Sequence, residues 1–401
     1  MDWQTSEDSQ AARWISDADV SSLAGLPPAT GAWRDGDPIG RRRFAGIGPL
    51  TLESGVVLPA VRIAYETWGE RAKDGRNAVL VLHALTGDAH LTGPAGPGHP
   101  TAGWWEGMVG PGAPIDTDRW YVVAPNILGG CQGTTGPASL GPGLAEWGGR
   151  FPYLTLRDQV SAQVAFTDAL GIQRWAAVLG GSMGGMHALE WAIGSPERVE
   201  RIGVLAAPAS SSADQIALNS VQTEAVRADP RFRGGDYYGA TAGDGPHRGL
   251  ALARRMALLN YRSAGELNAR FARSWQSGIS PLGDDGRFAV ESYLDFHGNR
   301  FTRRFDANSY VRLVDAMSSH DVGRDRGGVA TALGTVTAPM LVLGIDSDRL
   351  YPVADQELIA AAVPSAIDGP APVVLRSDYG HDGFLIERAA VGAQIARLLA
   401  V

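Results

Sequence analysis

The stretch Trp175-Ala176-Ala177-Val178-Leu179-Gly180-Gly181-Ser182-Met183-Gly184-Gly185-Met186-His187-Ala188-Leu189-Glu190-Trp191 decides the fold. Ala176–Leu179 is an apolar run long enough for a buried strand. From Met186 apolar residues return at three- and four-residue spacing, as on a helix. Between the two lies Gly-x-Ser-x-Gly. In a chain with 52 glycines the bare pattern arises by chance, so its context carries the argument. A strand before it and a helix after it make the setting of a nucleophile elbow. The demand is steric, because a side chain beside the serine would strike the adjoining strand or helix. Gly180, Gly184 and Gly185 have no Cβ to clash and tolerate φ > 0. The turn also sets Ser182 at a helix N-terminus, where free N–H groups favour developing negative charge.

Upstream, Leu50–Glu53 and Ala60–Thr67 alternate apolar and polar residues, as half-buried antiparallel strands do. Ala78–His83 is continuously apolar and reads as a central parallel strand. The loop Ala84–His90 then leaves its carboxyl end, where open α/β sheets take their ligands. Trp120–Ala124 is a further strand. The Gly/Pro-rich loops around it, one with Trp104-Trp105 and the other Gly129–Pro137, are too long for plain connections and read as pocket walls. Leu156–Leu170 is an amphipathic helix feeding the elbow strand, and Ile202–Ala206 is the next strand.

Between Ser210 and about Gly334 the parallel-strand pattern stops, and helical segments such as Ala213–Arg227, Gly249–Tyr261 and Ala264–Gln276 replace it. The sheet resumes with Met340–Ile345, a helix over Ala354–Val363, a strand over Val373–Leu375 and a last helix over Phe384–Leu399. The expected organisation is a polar, loosely held arm over 1–43, an α/β core over 44–209 and 335–401, and an inserted helical cap over 210–334. Arg41-Arg42-Arg43 reads as a solvated boundary before the first strand.

With 44% hydrophobic and 19% charged residues in 401, a sizeable core is available. The net charge of −8 argues against nucleic acid or an anionic membrane as main partner. The one cysteine, Cys131, excludes an intramolecular disulfide and suits the cytoplasm. No apolar run approaches the roughly 20 residues of a membrane span, and the first residues have no apolar core of a secretory signal. No Cys/His cluster has metal-ligand spacing, so neither a metal nor a bound cofactor is expected.

A serine hydroxyl is a weak nucleophile near neutral pH and needs a base, which in turn needs an orienting acid. After an elbow the chain order is serine, acid, histidine. The acid belongs just past the strand that follows the cap, where Asp346 and Asp348 compete; Asp348, further out and just ahead of the helix opening at Pro352, is favoured. The base belongs after the final strand, where Ser377-Asp378-Tyr379-Gly380-His381-Asp382-Gly383-Phe384 supplies one histidine, His381. His187, His247, His297 and His320 read as structural, and His83, His90 and His99 lie on or beside the pocket loop. The oxyanion donors are expected at the backbone N–H groups of Met183 and Leu85.

Six separated segments, in order, resemble the homoserine O-acetyltransferase (MetX) family of the α/β-hydrolase superfamily. They are His83–His90, Gly129-Gly130-Cys131, Gly180–Met186, Gly234-Gly235-Asp236-Tyr237-Tyr238, Ser347–Pro352 and Asp378–Leu385. The resemblance runs from about Leu50 to the C-terminus. It implies an α/β-hydrolase fold with a helical cap and a ping-pong reaction. Acetyl-CoA, as co-substrate, acetylates Ser182; L-homoserine then takes the acetyl group with His381 as base, giving O-acetyl-L-homoserine for methionine synthesis. It further implies Arg254 for the acceptor's α-carboxylate, helped by Tyr261 and Thr86, and Asp382 for its α-amino group. A guanidinium grips a carboxylate bidentately and a carboxylate pairs with an ammonium. Arg255 adjoins Arg254, and only one of the two can point inward from a helix. A homodimer through the cap helices is implied as well.

Two other readings stand beside this one. Relatives that use succinyl-CoA, L-serine or deacetylcephalosporin C share elbow and triad and differ in pocket shape. A carboxylesterase has no use for the Arg254 and Asp382 pair.

Overall fold

A computed structural model of the chain describes residues 23–283 and 285–401. Its centre is an eight-stranded sheet built from β1 (Arg43–Thr51), β2 (Val57–Trp68), β3 (Ala78–Leu82), β4 (Tyr121–Pro125), β5 (Ala177–Gly181), β6 (Ile202–Leu205), β7 (Met340–Ile345) and β8 (Val373–Leu375). The order across the sheet is β1-β2-β4-β3-β5-β6-β7-β8. β1 pairs antiparallel with β2, and β2 antiparallel with β4; from β4 to β8 every pairing is parallel. The burial follows from this. β3, β5, β6 and β7 are buried at every residue, because helices cover both faces of a parallel sheet. β1, at the edge, has no fully buried residue.

Five helices belong to the core. α1 (Leu156–Ala169) starts at a capping box in which Thr155 and Asp158 satisfy each other's backbone N–H. α2 (Met183–Gly194) runs on from the elbow and is buried from Met183 to Ala192. The chain closes on α9 (Val353–Ala362), α10 (Gly383–Ile386) and α11 (Arg388–Ala400). The single last helix expected from sequence is two, because Glu387 leaves helical geometry at ψ 52° while its carboxylate accepts from Ser377 Oγ.

Between β6 and β7 the described residues hold helices only. These are α3 (Ala213–Arg227), α4 (His247–Tyr261), α5 (Ala264–Phe271), α6 (Ala289–Phe301), α7 (Ala307–Ser318) and the short α8 (Val329–Leu333), with 3-10 turns between. α5 stops at Phe271, short of the expected Gln276, because Ala272 turns into the left-handed region at φ 44°. α4 packs against α3 and α6, and α3 against α7.

The arm expected to be loosely held is different where it is described. Residues 1–22, with Trp14 and Ile15, lie outside the described residues. From Thr30 onward the segment is tied down. Thr30 Oγ1 donates to Asp306 at 2.7 Å, the Trp33 amide to Cys131 O at 2.9 Å, and the Gly31 amide to Phe305 O at 3.2 Å. Gly31 lies so close to Arg304 and Phe305 that a Cβ would sit 2.4 Å from a backbone nitrogen. Of the triple arginine, Arg41 and Arg43 are solvated as expected, but the middle one is not. Arg42 is buried, with its guanidinium on the backbone and side-chain oxygens of Gln132.

Candidate active site

The elbow forms as its glycines require, but the positive φ falls elsewhere than expected. Ser182 itself takes φ 57°, ψ −126°, a sparsely populated conformation for a residue with a side chain. Gly180, Gly184 and Gly185 keep ordinary φ and serve as points of close approach. A Cβ on Gly180 would meet Gly184 O at 2.1 Å, and one on Gly184 would meet Leu82 O at 2.2 Å. The elbow is thus wedged between the start of α2 and the end of β3, held by the Ser182 amide donating to Leu205 O at 2.9 Å.

On this turn the Ser182 hydroxyl lies 2.8 Å from His381 Nε2, although 199 residues separate them. His381 Nδ1 lies 2.6 Å from Asp348 Oδ2. The other carboxylate oxygen accepts the Leu350 and Tyr351 amides at 2.8 and 3.0 Å, which fixes the acid. All three groups are buried. Asp346, the competitor, is exposed and accepts the Ser377 amide at 3.0 Å, joining two loops. Burial works against a charged imidazole at His381. The Asp348 carboxylate and its hydrogen bond, with Asp382 beyond, outweigh burial and hold the His381 pKa above the ordinary histidine value. Such a relay can pass the serine proton to the imidazole while the acid fixes the tautomer. Tyr261, Tyr351 and Phe384 surround the ring at centroid distances of 5.8, 5.1 and 5.4 Å. The last two have no assigned role in the sequence reading; their places right after the acid and the base are the signal that was available.

Met183 opens α2, so its N–H is one of those with no acceptor inside the helix. Leu85 sits at the corner of a turn closed by the Gly87 amide on Ala84 O at 2.9 Å. Gly184 abuts Leu82 and His83 just before that turn, which brings the two backbone segments side by side.

Next to the triad lies a cavity of about 210 Å³ whose wall includes Thr86, Asp88, Arg254, Arg300, Phe301 and Arg304. None of the triad is in that wall; Tyr261 links the two. The Arg254 guanidinium stands 5.4 Å from the Tyr261 ring centre and 5.1 Å from that of Phe301. Its Nη1 is buried without a hydrogen-bond partner among the described residues. Arg255 points the other way, pairing with Asp295 at 2.8 Å on the partly exposed face. Packing therefore selects Arg254 as the inward arginine. His297, read from sequence as structural, is in the cavity wall, where burial and the charges of Arg254 and Arg300 bring its pKa to about 4 and keep it neutral. His187, His247 and His320 bond to Gln159, Pro28 O and Pro208 O as structural residues do.

Asp382 is adjacent to the base, but it is not alone. Its Oδ2 lies 3.3 Å from Arg262 Nη1, a residue 120 positions away that the sequence reading passed over. Burial raises the Asp382 pKa, opposed by the positive charges of Arg254, His381 and Arg262.

Glu66, His90 and His99 bring three potential metal-ligand atoms within 4.8 Å. Their geometry is that of a hydrogen-bonded stack. The two rings are parallel within 12° at 3.9 Å, so their lone pairs cannot converge on one ion. Glu66 already faces His90 Nδ1 at 3.1 Å, and His99 Nε2 accepts the Arg41 amide at 2.9 Å.

The α/β hydrolase fold family matches residues 77–387. The homoserine O-acetyltransferase of Clavibacter michiganensis subsp. michiganensis is 71% identical over 385 residues, which is 96% of this chain and 99% of the relative. The chain belongs to the homoserine O-acetyltransferase family. The homoserine O-acetyltransferase of Leifsonia xyli subsp. xyli is 67% identical over all 401 residues and the whole of both chains. Among solved structures, the homoserine O-acetyltransferase from Bacillus anthracis superposes with a TM-score of 0.81 at 26% identity, covering 90% of this chain and 97% of that one. Esterase E22 superposes at 0.80 and 25% identity, covering 89% and 99%. One of the segments that resemble the homoserine O-acetyltransferase family builds structure. Tyr237 and Tyr238 of the Gly234–Tyr238 segment both donate to the buried Asp306 carboxylate, at 2.7 and 2.9 Å, which also caps α7.

Proposed function

We propose that this chain is a homoserine O-acetyltransferase that moves an acetyl group from acetyl-CoA to the hydroxyl of L-homoserine by a ping-pong route. Ser182 Oγ attacks the thioester carbonyl as His381 Nε2 takes its proton, and the Met183 and Leu85 amides receive the tetrahedral oxyanion. Collapse expels the CoA sulfur, which takes the proton from His381 and leaves an acetyl-serine. The acceptor hydroxyl then attacks that ester while His381 takes its proton, and collapse returns the proton to Ser182. Arg254 takes the acceptor's carboxylate, with Tyr261 and Thr86 beside it, and Asp382 takes its ammonium. No metal or bound cofactor enters these steps.

The observation that carries this reading is the buried Nη1 of Arg254, which has no hydrogen-bond partner among the described residues, one tyrosine away from a complete serine–histidine–aspartate relay. A buried N–H donor left without an acceptor is costly, and an amino-acid carboxylate meets that need. The high identity to homoserine O-acetyltransferases supports the same reading. The likeness to esterase E22 keeps hydrolysis as the rival. A panel decides: CoA release with acetyl- or succinyl-CoA as donor and homoserine or serine as acceptor, and p-nitrophenol release from p-nitrophenyl acetate as a plain ester. Acetyl-CoA with homoserine is expected to win, with an acetyl adduct on Ser182 in mass spectra that is lost in Ser182→Ala. Rapid ester hydrolysis unaffected by homoserine refutes transfer.

A homodimer through the cap helices is part of the proposal. α3 and α4 leave Ile216, Val221, Leu252 and Leu259 exposed, which supports it; sedimentation equilibrium tests it. A cytoplasmic location accords with the single, buried thiol of Cys131. Among the described residues no helix is long and apolar enough to cross a membrane.

A further inference from the structure

Arg262 caps the C-terminus of α4 and is the first residue of the turn into α5. Its side chain is only 11% exposed and all its visible bonds are to acids. Nε and Nη2 meet Glu266 at 3.2 and 2.8 Å, and Nη1 meets Asp382 Oδ2 at 3.3 Å. Tyr379 lies under the guanidinium at 5.4 Å. The junction itself is locked to the loop bearing His381 and Asp382. Ser263 Oγ donates to Asp378 O, and Gly380, at φ 64°, approaches so closely that a Cβ there would lie 2.7 Å from Tyr261 O.

We infer that Arg262 is a positioning residue for the acyl acceptor: it holds one oxygen of Asp382 and presents the other, ionised, to the acceptor's ammonium group. This rests on the assignment of Asp382 to that amino group. The groups that face Asp382 are Arg254 and Tyr261 from α4, His381 from its own loop, and Arg262 from the α4–α5 turn. Glu266 and Arg270 of α5 and Tyr293 of α6 stand behind Arg262. During transfer Arg254 is engaged by the acceptor's carboxylate, and His381 must be neutral to act as base. Arg262 is then the cation in direct contact that keeps this partly buried carboxylate charged. Glu266 has the complementary part. It shares the Arg262 charge, while itself paired with Arg270 at 3.4 Å, and so limits how far Arg262 offsets the negative charge of Asp382.

Arg262→Gln tests this in the full chain. Release of CoA in the first turnover, before acceptor is added, is expected within about twofold of the parent. The KM for homoserine is expected to rise about tenfold or more, the usual scale for losing a charge-assisted hydrogen bond. The acid limb of the acceptor half-reaction should move to higher pH in Arg262→Gln and to lower pH in Glu266→Gln. Arg262→Lys, which restores the charge, should recover most of the affinity and shows that the effect is not one of folding. The inference is overturned if Arg262→Gln leaves both the homoserine KM and the acid limb unchanged, or if acetyl-enzyme formation falls in parallel with acceptor use. Failure of the underlying assignment reads differently: Asp382→Asn would then leave the homoserine KM unchanged, and the inference would fall with it.

Discussion

Replacing Asp348 by asparagine isolates what the acid does, because the structure leaves the new side chain one good orientation. Asp348 Oδ1 accepts two backbone amides, at 2.8 and 3.0 Å, so the asparagine carbonyl must stay there. The amide nitrogen is then forced into the place of Oδ2, 2.6 Å from His381 Nδ1. An NH₂ group only donates. Nδ1 must therefore become the acceptor, and the imidazole proton moves to Nε2, the atom that should receive the proton of Ser182 2.8 Å away. The base is present and correctly placed but in the wrong tautomer. A change of this kind costs about 10⁴-fold in rate, or about 5.5 kcal/mol in the barrier. The assay is stopped-flow release of CoA from acetyl-CoA without acceptor, which reads serine acetylation alone, with circular dichroism to show the fold retained. Asp346→Asn, whose carboxylate only joins two loops through the Ser377 amide, should acetylate at close to the parental rate. Acetylation by Asp348→Asn within tenfold of the parent, or a larger loss in Asp346→Asn, would refute the reasoning.

Arg254→Met should raise the homoserine KM about a hundredfold while CoA release in the first turnover is little changed, and Arg255→Met, at the exposed Asp295 pair, should stay within a few-fold; steady-state kinetics check both. Gly184→Ala would set a methyl group 2.2 Å from Leu82 O and force the end of β3 off the elbow, so a loss of about 3 kcal/mol or more of stability in urea titration is expected, with acetylation abolished. Because neutral His381 is the active form and its pKa lies above the ordinary histidine value, serine acetylation should climb with pH through that raised pKa and then level off; in Asp348→Asn, with burial no longer opposed by that charge, the limb should move to lower pH. Acceptor affinity should fall on acidification above the usual carboxylate range, since burial raises the pKa of Asp382, which must be charged to hold an ammonium.

Much of the site was legible because its signals are local. The elbow is a strand, a turn that only small residues permit and a helix, all within one stretch around Ser182. His381 and Asp348 follow from chain order and from sitting just beyond the ends of strands. What was missed is non-local. The positive φ at Ser182 is a property of the packed turn, and glycine composition pointed to its neighbours instead. The pinned segment from Thr30 to Arg42 is polar and glycine-rich, as loose chain is; its bonds to Asp306, Cys131 and Gln132 exist only because distant residues arrive beside it.

Sequence alone determined the fold class and the three residues of the relay, since a buried parallel strand, a strained turn and a carboxylate–imidazole pair each demand particular residue types at particular places; the family came from the resemblance of six segments. Tertiary structure alone decided which of two adjacent arginines faces the cavity, because helical phase becomes direction only once α4 is packed against α6. It alone decided, too, that Asp382 has Arg262 for a neighbour. Charges attract across whatever space the folded backbone leaves between them, and no motif or chain order in this sequence ties Arg262 to Asp382, as the elbow and the strand ends tie Ser182 to His381.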